Sequence, residues 1–159
     1  MTCRYSYNLD NYVNFTMLED GIVLFRSKVF TDLQVSINGD AWESDLEHVS
    51  VKKGDILALK SYGYSGAEFT VGHIGLPACN LGGNIMSLIY GDEAKDHSHE
   101  LSVGQFQYLF NHTSIVNVEV DFLPATTLAD SCYAYMFDGC TSLVQAPALP
   151  ATTLANRCY

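Results

Sequence analysis

Along the first half of the chain, apolar and polar residues alternate with the two-residue period of strands that have one buried and one wet face. Leu33, Val35 and Ile37 alternate with Gln34 and Ser36. Asn38-Gly39 follows, a type I′ hairpin signal, because both central residues of that turn need positive φ. The chain then returns through Ala41 and Trp42. Val49 and Val51 alternate with His48, Ser50 and Lys52, and Lys53-Gly54-Asp55 supplies a turn. Residues 55–60 read as a strand apolar on both faces. Phe69 and Val71 mark another strand after the glycine-rich loop between Gly63 and Gly66. Short strands spaced by about ten residues predict a small β-sandwich over residues 1–76.

From Gly75 to Gly83 the pattern breaks, with Pro77 and the pair Gly82-Gly83, and residues 77–104 read as a connector leading into a second part. Residues 84–90 are apolar enough to pair onto that part. Residues 103–110 predict a short helix capped by Ser102. Residues 116–122 alternate completely, with Val116, Val118, Val120 and Phe122 on one side and Asn117, Glu119 and Asp121 on the other. They predict a strand with one exposed polar face.

This second part, residues 105–159, carries an internal repeat. Leu123-Pro124-Ala125-Thr126-Thr127-Leu128-Ala129 returns 26 residues later as Leu149-Pro150-Ala151-Thr152-Thr153-Leu154-Ala155, and Cys132-Tyr133 returns in register as Cys158-Tyr159. A degenerate forerunner, Leu109-Phe110-Asn111-His112-Thr113-Ser114-Ile115, precedes Met136-Phe137-Asp138-Gly139-Cys140-Thr141-Ser142-Leu143. A period in the twenties predicts stacked units that bury one continuous core. Its expected members are Phe110, Ile115, Leu123, Leu128, Cys132, Phe137, Cys140, Leu143, Leu149, Leu154 and Cys158. In such a stack Gln145 matches the strand at 116–122, so Asn117, Glu119, Asp121 and Gln145 form the candidate ligand face.

The spacing Phe137, Cys140, Leu143, together with the Leu-Pro-Ala-Thr-Thr-Leu-Ala and Cys-Tyr runs, resembles the BspA-like leucine-rich-repeat family of bacterial surface proteins. The resemblance is sharpest over residues 105–159 and extends more weakly through residues 83–92. It implies a mainly β fold with short helices, in which a small β-sandwich precedes a leucine-rich-repeat solenoid. It further implies adhesion or binding of a protein or glycan rather than catalysis, and a cell-surface or secreted location.

Composition narrows these expectations. Of 159 residues, 18 are acidic and 8 basic, a net charge of −10 that disfavours nucleic acid and anionic membranes as partners. Apolar runs such as residues 21–25 fall far short of the roughly 20 residues of a membrane span. The start shows no basic region followed by an apolar one. That favours an alternative in which the same module serves as a structural or assembly component of a phage or surface particle. Five cysteines without a C-x-x-C pair argue for buried free thiols, neither disulfides nor zinc. Gly63-Tyr64-Ser65-Gly66-Ala67 misses the nucleophile-elbow pattern at its last position.

His97 and His99, flanked by Asp92, Glu93, Asp96 and Glu100, are weak metal-ligand candidates, and no cofactor is expected. A metal-dependent hydrolase built on them ranks last among the functions. Asp40, Glu43, Asp45 and Glu47 read as a solvated hairpin edge. Because Tyr159 falls inside a repeat, Leu143, Leu149 and Leu154 lack a unit stacked on them. Self-association, or a partner at that edge, is expected.

Overall fold

The computed structural model describes residues 7–25, 29–64, 74–97 and 100–159. The expected strand at Phe69 and Val71, most of the glycine-rich loop, Cys3 and His99 lie outside the described residues.

Strand β1 (Val13–Met17) buries Val13, Phe15 and Met17 and turns Asn14 and Thr16 outward. It is followed by β2 (Gly21–Phe25), β3 (Gln34–Ile37), β4 (Glu43–Ser44), β5 (His48–Val51) and β6 (Ile56–Lys60). The expected turn joins β3 to β4, with Asn38 and Gly39 at φ 53° and 83° and the Asp40 N–H donating to the Ile37 carbonyl at 2.9 Å. Then come β7 (Ile74–Gly75), β8 (Cys79–Gly82), the short helix α1 (Ser87–Tyr90) and β9 (Ile115–Val118).

Six strands form one sheet in the order β4-β3-β6-β1-β8-β9, and three form a second in the order β5-β2-β7. All pairings are antiparallel except β8 with β9, which is parallel. Phe15, Leu57, Leu59, Val23, Val51, Leu81, Met86, Phe106, Phe110 and Phe122 belong to one buried apolar cluster that spans both halves of the chain.

The fold expected from the sequence is corrected here. In place of a β-sandwich followed by a leucine-rich-repeat solenoid, the described residues form a small mainly β structure with two sheets and one short α-helix. The two sheets agree with the sandwich class. The repeat region does not supply a sheet of its own. Its strand β9 is the sixth strand of the first sheet, because Ile115 and Val118 find their apolar partners against Cys79 and Leu81. Residues after β9 contribute only isolated bridges, Asn117 to Gln145 and Thr127 to Thr153 among them. The sheet therefore crosses the boundaries drawn at residues 76/77 and 104/105. Among the described residues no helix is long and apolar enough to cross a membrane.

Residues 103–110 are not the helix their apolar spacing suggests. Gly104, Tyr108 and His112 stand at positive φ, and so do Ser131, Tyr135 and Gly139 in the next unit. A left-handed residue every fourth position makes a chain of tight turns. Its backbone bonds run sideways instead of up a helix. The N–H groups of Gly104, Phe106, Tyr108, Phe110 and His112 donate to the carbonyls of Asp130, Cys132, Ala134, Met136 and Asp138 at 2.7–3.1 Å. Ser131 and Tyr133 donate in the same way to Asn156 and Cys158, at 2.9 and 3.0 Å. Rings follow the same register. Tyr64, Phe106, Tyr133 and Tyr159 stand in a column with centroids 5.8, 6.0 and 6.0 Å apart, and Tyr135 lies flat on Tyr108 at 5.0 Å.

Of the expected repeat core, Phe110, Ile115, Leu123, Leu128, Cys132 and Cys158 are buried. Phe137, Cys140 and Leu143 are half-buried, and Leu149 and Leu154 are exposed. The thiols are used as small polar-edged fillers. Cys140 Sγ lies 3.1 Å from the Phe110 carbonyl and 3.3 Å from Thr113 Oγ1, and Cys132 Sγ donates to the Cys158 carbonyl at 3.6 Å.

Candidate functional site

The outward face of the first sheet carries a row of small polar side chains on four neighbouring segments. Thr16 of β1 pairs with Asn80 of β8, Asn80 with Asn117 of β9, and Asn117 with Gln145. Adjacent strands lie about 4.8 Å apart, so the four side chains form a ladder. One step along the strands stand Asn14, Gly82 and Glu119. Together with Leu81 and Val118 these residues line a groove of about 290 Å³.

A bulge sets this register. Between Cys79 and Asn80 the pairing slips by one residue, so Val116 is extra and Asn117 faces Asn80. Without the slip, Asn117 would miss Asn80 and a polar row would become an apolar one. Asn117 Nδ2 donates to Asn80 Oδ1 at 2.9 Å, which fixes both amides and leaves Asn117 Oδ1 and Asn80 Nδ2 without a side-chain partner among the described residues. The Gln145 amide makes no side-chain hydrogen bond to the described residues. Glu119 lies across Gly82. Its Oε2 accepts the Gly83 N–H at 2.9 Å, and a Cβ at Gly82 would run into the carboxylate. A side chain at Gly82 would therefore push the Glu119 carboxylate off the Gly83 N–H.

Of the four residues expected to form the ligand face, the structure brings Asn117, Glu119 and Gln145 together. Asp121 is exposed and lies outside the groove lining. The alternation expected over residues 116–122 stops at Val118, and Val120 is 54% exposed. Sequence reasoning missed Asn14, Thr16 and Asn80. The clean alternation of Val13, Asn14, Phe15, Thr16 and Met17 was the available signal for the first two.

A second polar cluster holds the C-terminal end of β6. Lys60 is buried, and its Nζ meets both carboxylate oxygens of Asp92 at 2.9 and 3.0 Å while standing 4.5 Å from the centre of a Trp42 ring. Tyr12 and Tyr62 also donate to Asp92, at 2.6 and 3.2 Å. The Tyr12 bond and then Lys60 hold the Asp92 carboxyl below its ordinary range, against the opposing cost of burial. Burial and the Asp92 charge push the Tyr12 hydroxyl upward. All donors here are spent within the chain, so the cluster reads as a clamp between β6 and residues 91–96.

His97 stacks on Tyr90 at 4.3 Å and stands 3.9 Å from Glu93. His99 is outside the described residues. Among the described residues no group of three or more His, Cys, Asp or Glu side chains is arranged to hold a metal ion.

Comparison with known proteins finds no matching family model, no matching curated protein and no matching solved structure. The likeness to BspA-like proteins rests on the motif residues themselves.

Proposed function

We propose that the protein is a non-catalytic binding module whose amide groove takes a neutral, hydroxyl-rich ligand, a glycan. The observation that carries this reading is the ladder Thr16, Asn80, Asn117 and Gln145 across four adjacent segments. A primary amide offers donors and an acceptor side by side, and so does a sugar hydroxyl, so a ladder of amides matches a chain of hydroxyls. Among the described residues lining the groove, Glu119 is the one ionisable group. Its charge, and the net −10 of the chain, disfavour acidic sugars. The rigid strands beneath keep the ordering cost of binding low.

The test is a titration of isotopically labelled protein with a panel of neutral oligosaccharides, following the side-chain amide signals of Asn80, Asn117 and Gln145. Those signals shift on binding. Asn117→Ala weakens binding by about tenfold, the loss of one or two net hydrogen bonds. Shifts confined to other surfaces, or affinity unchanged in Asn117→Ala and Gln145→Ala, would refute the assignment.

A further inference from the structure

The polar groups of the amide groove are sorted into two rows of different chemistry. On the ladder, Asn80 Nδ2 keeps its hydrogens and Asn117 Nδ2 keeps one of its two after donating to Asn80. Thr16 adds a hydroxyl that both donates and accepts. In the row of Asn14, Gly82 and Glu119 the side chains offer acceptors alone. Both hydrogens of Asn14 Nδ2 are committed, to the Leu9 and Tyr12 carbonyls at 3.2 Å each, so Oδ1 is what that amide has left. A carboxylate carries no donor, and Glu119 spends Oε2 on the Gly83 N–H while Oε1 takes no hydrogen bond from the described residues. Gly82 stands between them and brings no side chain.

Backbone geometry holds this acceptor row in place. A Cβ on Gly82 would overlap the Glu119 carboxylate. One on Gly83, at φ 81°, would overlap the Tyr12 carbonyl oxygen and stand 2.7 Å from Asn14 Nδ2. Two bare residues thus let Asn14 approach from β1 and Glu119 from just past β9, onto the same stretch of main chain. The Glu119 N–H donates to the Leu81 carbonyl at 2.9 Å, which pins the carboxylate from its own backbone as well. Same-face residues along a strand lie about 7 Å apart, so one sugar ring reaches from this row to the ladder.

We propose, resting on the glycan reading of the groove, that Glu119 and Asn14 read a free vicinal diol, so that the groove takes a glycan unsubstituted at that ring edge and rejects one capped there as an ether or acetyl ester. One hydroxyl donates to Glu119 Oε1 and its neighbour to Asn14 Oδ1. The opposite edge of the ring accepts from the Asn80 and Asn117 amides. The bond to the carboxylate is charge-assisted, roughly twice as strong as one between neutral groups. Capping a hydroxyl keeps its oxygen lone pairs and removes its hydrogen. It therefore sets acceptor against acceptor, the kind of mismatch that yields specificity by repulsion. Glu119 is the specificity-determining residue of the groove, and Gly82 and Gly83 position it.

The probes are β-1,4-linked gluco-, manno- and xylo-oligosaccharides, whose inner rings keep one vicinal diol, each compared with its methyl ether and with a deoxy analogue lacking one of the two hydroxyls. Calorimetric titration of the full chain gives the affinities, and side-chain amide shifts of Asn80 and Asn117 locate the binding. Both the ether and the deoxy sugar bind about tenfold more weakly than the parent sugar, the loss of a charge-assisted bond. Glu119→Gln can still accept the Gly83 N–H through its carbonyl. It weakens the free sugar about tenfold and shrinks the penalty of the ether and of the deoxy sugar to about twofold. Equal affinity for free and capped chains, with the Asn80 and Asn117 shifts present, would overturn the diol reading and leave the glycan groove standing. A methylation penalty as large in Glu119→Gln as in the parent protein would overturn it too, by tracing rejection to bulk. Absence of binding by every probe would overturn the diol reading together with the glycan reading beneath it.

Discussion

Removing Asp92 should damage the fold more than removing Lys60, although the two form one ion pair. The Lys60 side chain is 8% exposed, and Asp92 is 53% exposed. Breaking a fully buried pair from one side costs about 3–5 kcal/mol, mainly for the charge left behind. In Asp92→Ala the stranded charge is the buried one. Water entering where Asp92 stood offsets part of the loss, leaving about 2 kcal/mol. In Lys60→Met the apolar stem still packs on Trp42, and Asp92 keeps Tyr12, Tyr62 and solvent. What is lost is a cation–π contact of about 0.5–1 kcal/mol, so the cost stays below about 1 kcal/mol. In the Lys60→Met background, Asp92→Ala then costs about 1 kcal/mol, the loss of the Tyr12 bond, still less than in the parent chain. Urea unfolding, followed through the single tryptophan and checked by far-ultraviolet dichroism, gives all three values. Equal costs for the two single variants, or additive costs in the double variant, would show that packing and not a stranded charge sets the energy.

Other outcomes follow from the same structure. Leu123 is 3% exposed and its repeat equivalent Leu149 is 56% exposed. Leu123→Ala should therefore cost about 2–4 kcal/mol and Leu149→Ala under about 0.5 kcal/mol by denaturant unfolding. Asp92 has its folded pKa lowered by Tyr12 and Lys60, so its stabilisation is present above about pH 4 and is lost as the pH falls through the folded value. Tyr12→Phe should flatten that acid limb in a pH series of unfolding curves. Burial pushes the Cys79 thiol up to about 12, so iodoacetamide at pH 8 should leave Cys79 unmodified in the native protein and label it in urea, as mapped by mass spectrometry. Gly82→Ala should displace Glu119 and weaken ligand binding more than it lowers stability, compared by titration and unfolding of the same variant.

Local chemistry in the first half was legible because it acts within a few residues. Asn38-Gly39 has one comfortable turn to make, and Val49 and Val51 have one face to bury. The second half misled where distant partners decide. Val103, Phe106 and Phe110 have helical spacing, yet the Phe106 and Phe110 N–H groups donate to Cys132 and Met136, 26 residues on. Val116 and Val120 alternate correctly in sequence, but one bulge and an early strand end send Val120 into solvent. The polar groove was half legible. Asn117, Glu119 and Gln145 follow from the repeat register, whereas Asn14, Thr16 and Asn80 join them only through the pairing of β1, β8 and β9, which no local pattern specifies.

The left-handed residues carry a consequence for how the chain comes to fold. Tyr108, His112, Ser131, Tyr135 and Arg157 all hold positive φ without being glycine, at a cost on the order of 1 kcal/mol each. Residues 103–112 are therefore unfavourable taken alone and gain their compensation from carbonyls that follow at Asp130 to Asp138. During synthesis Phe106 and Phe110 can already pack on Tyr64 and Phe15, but the backbone donors of that stretch gain their acceptors only when about one further unit has left the ribosome. The sideways bonds of the first unit are thus completed backwards along the chain, by carbonyls translated after the donors they accept from.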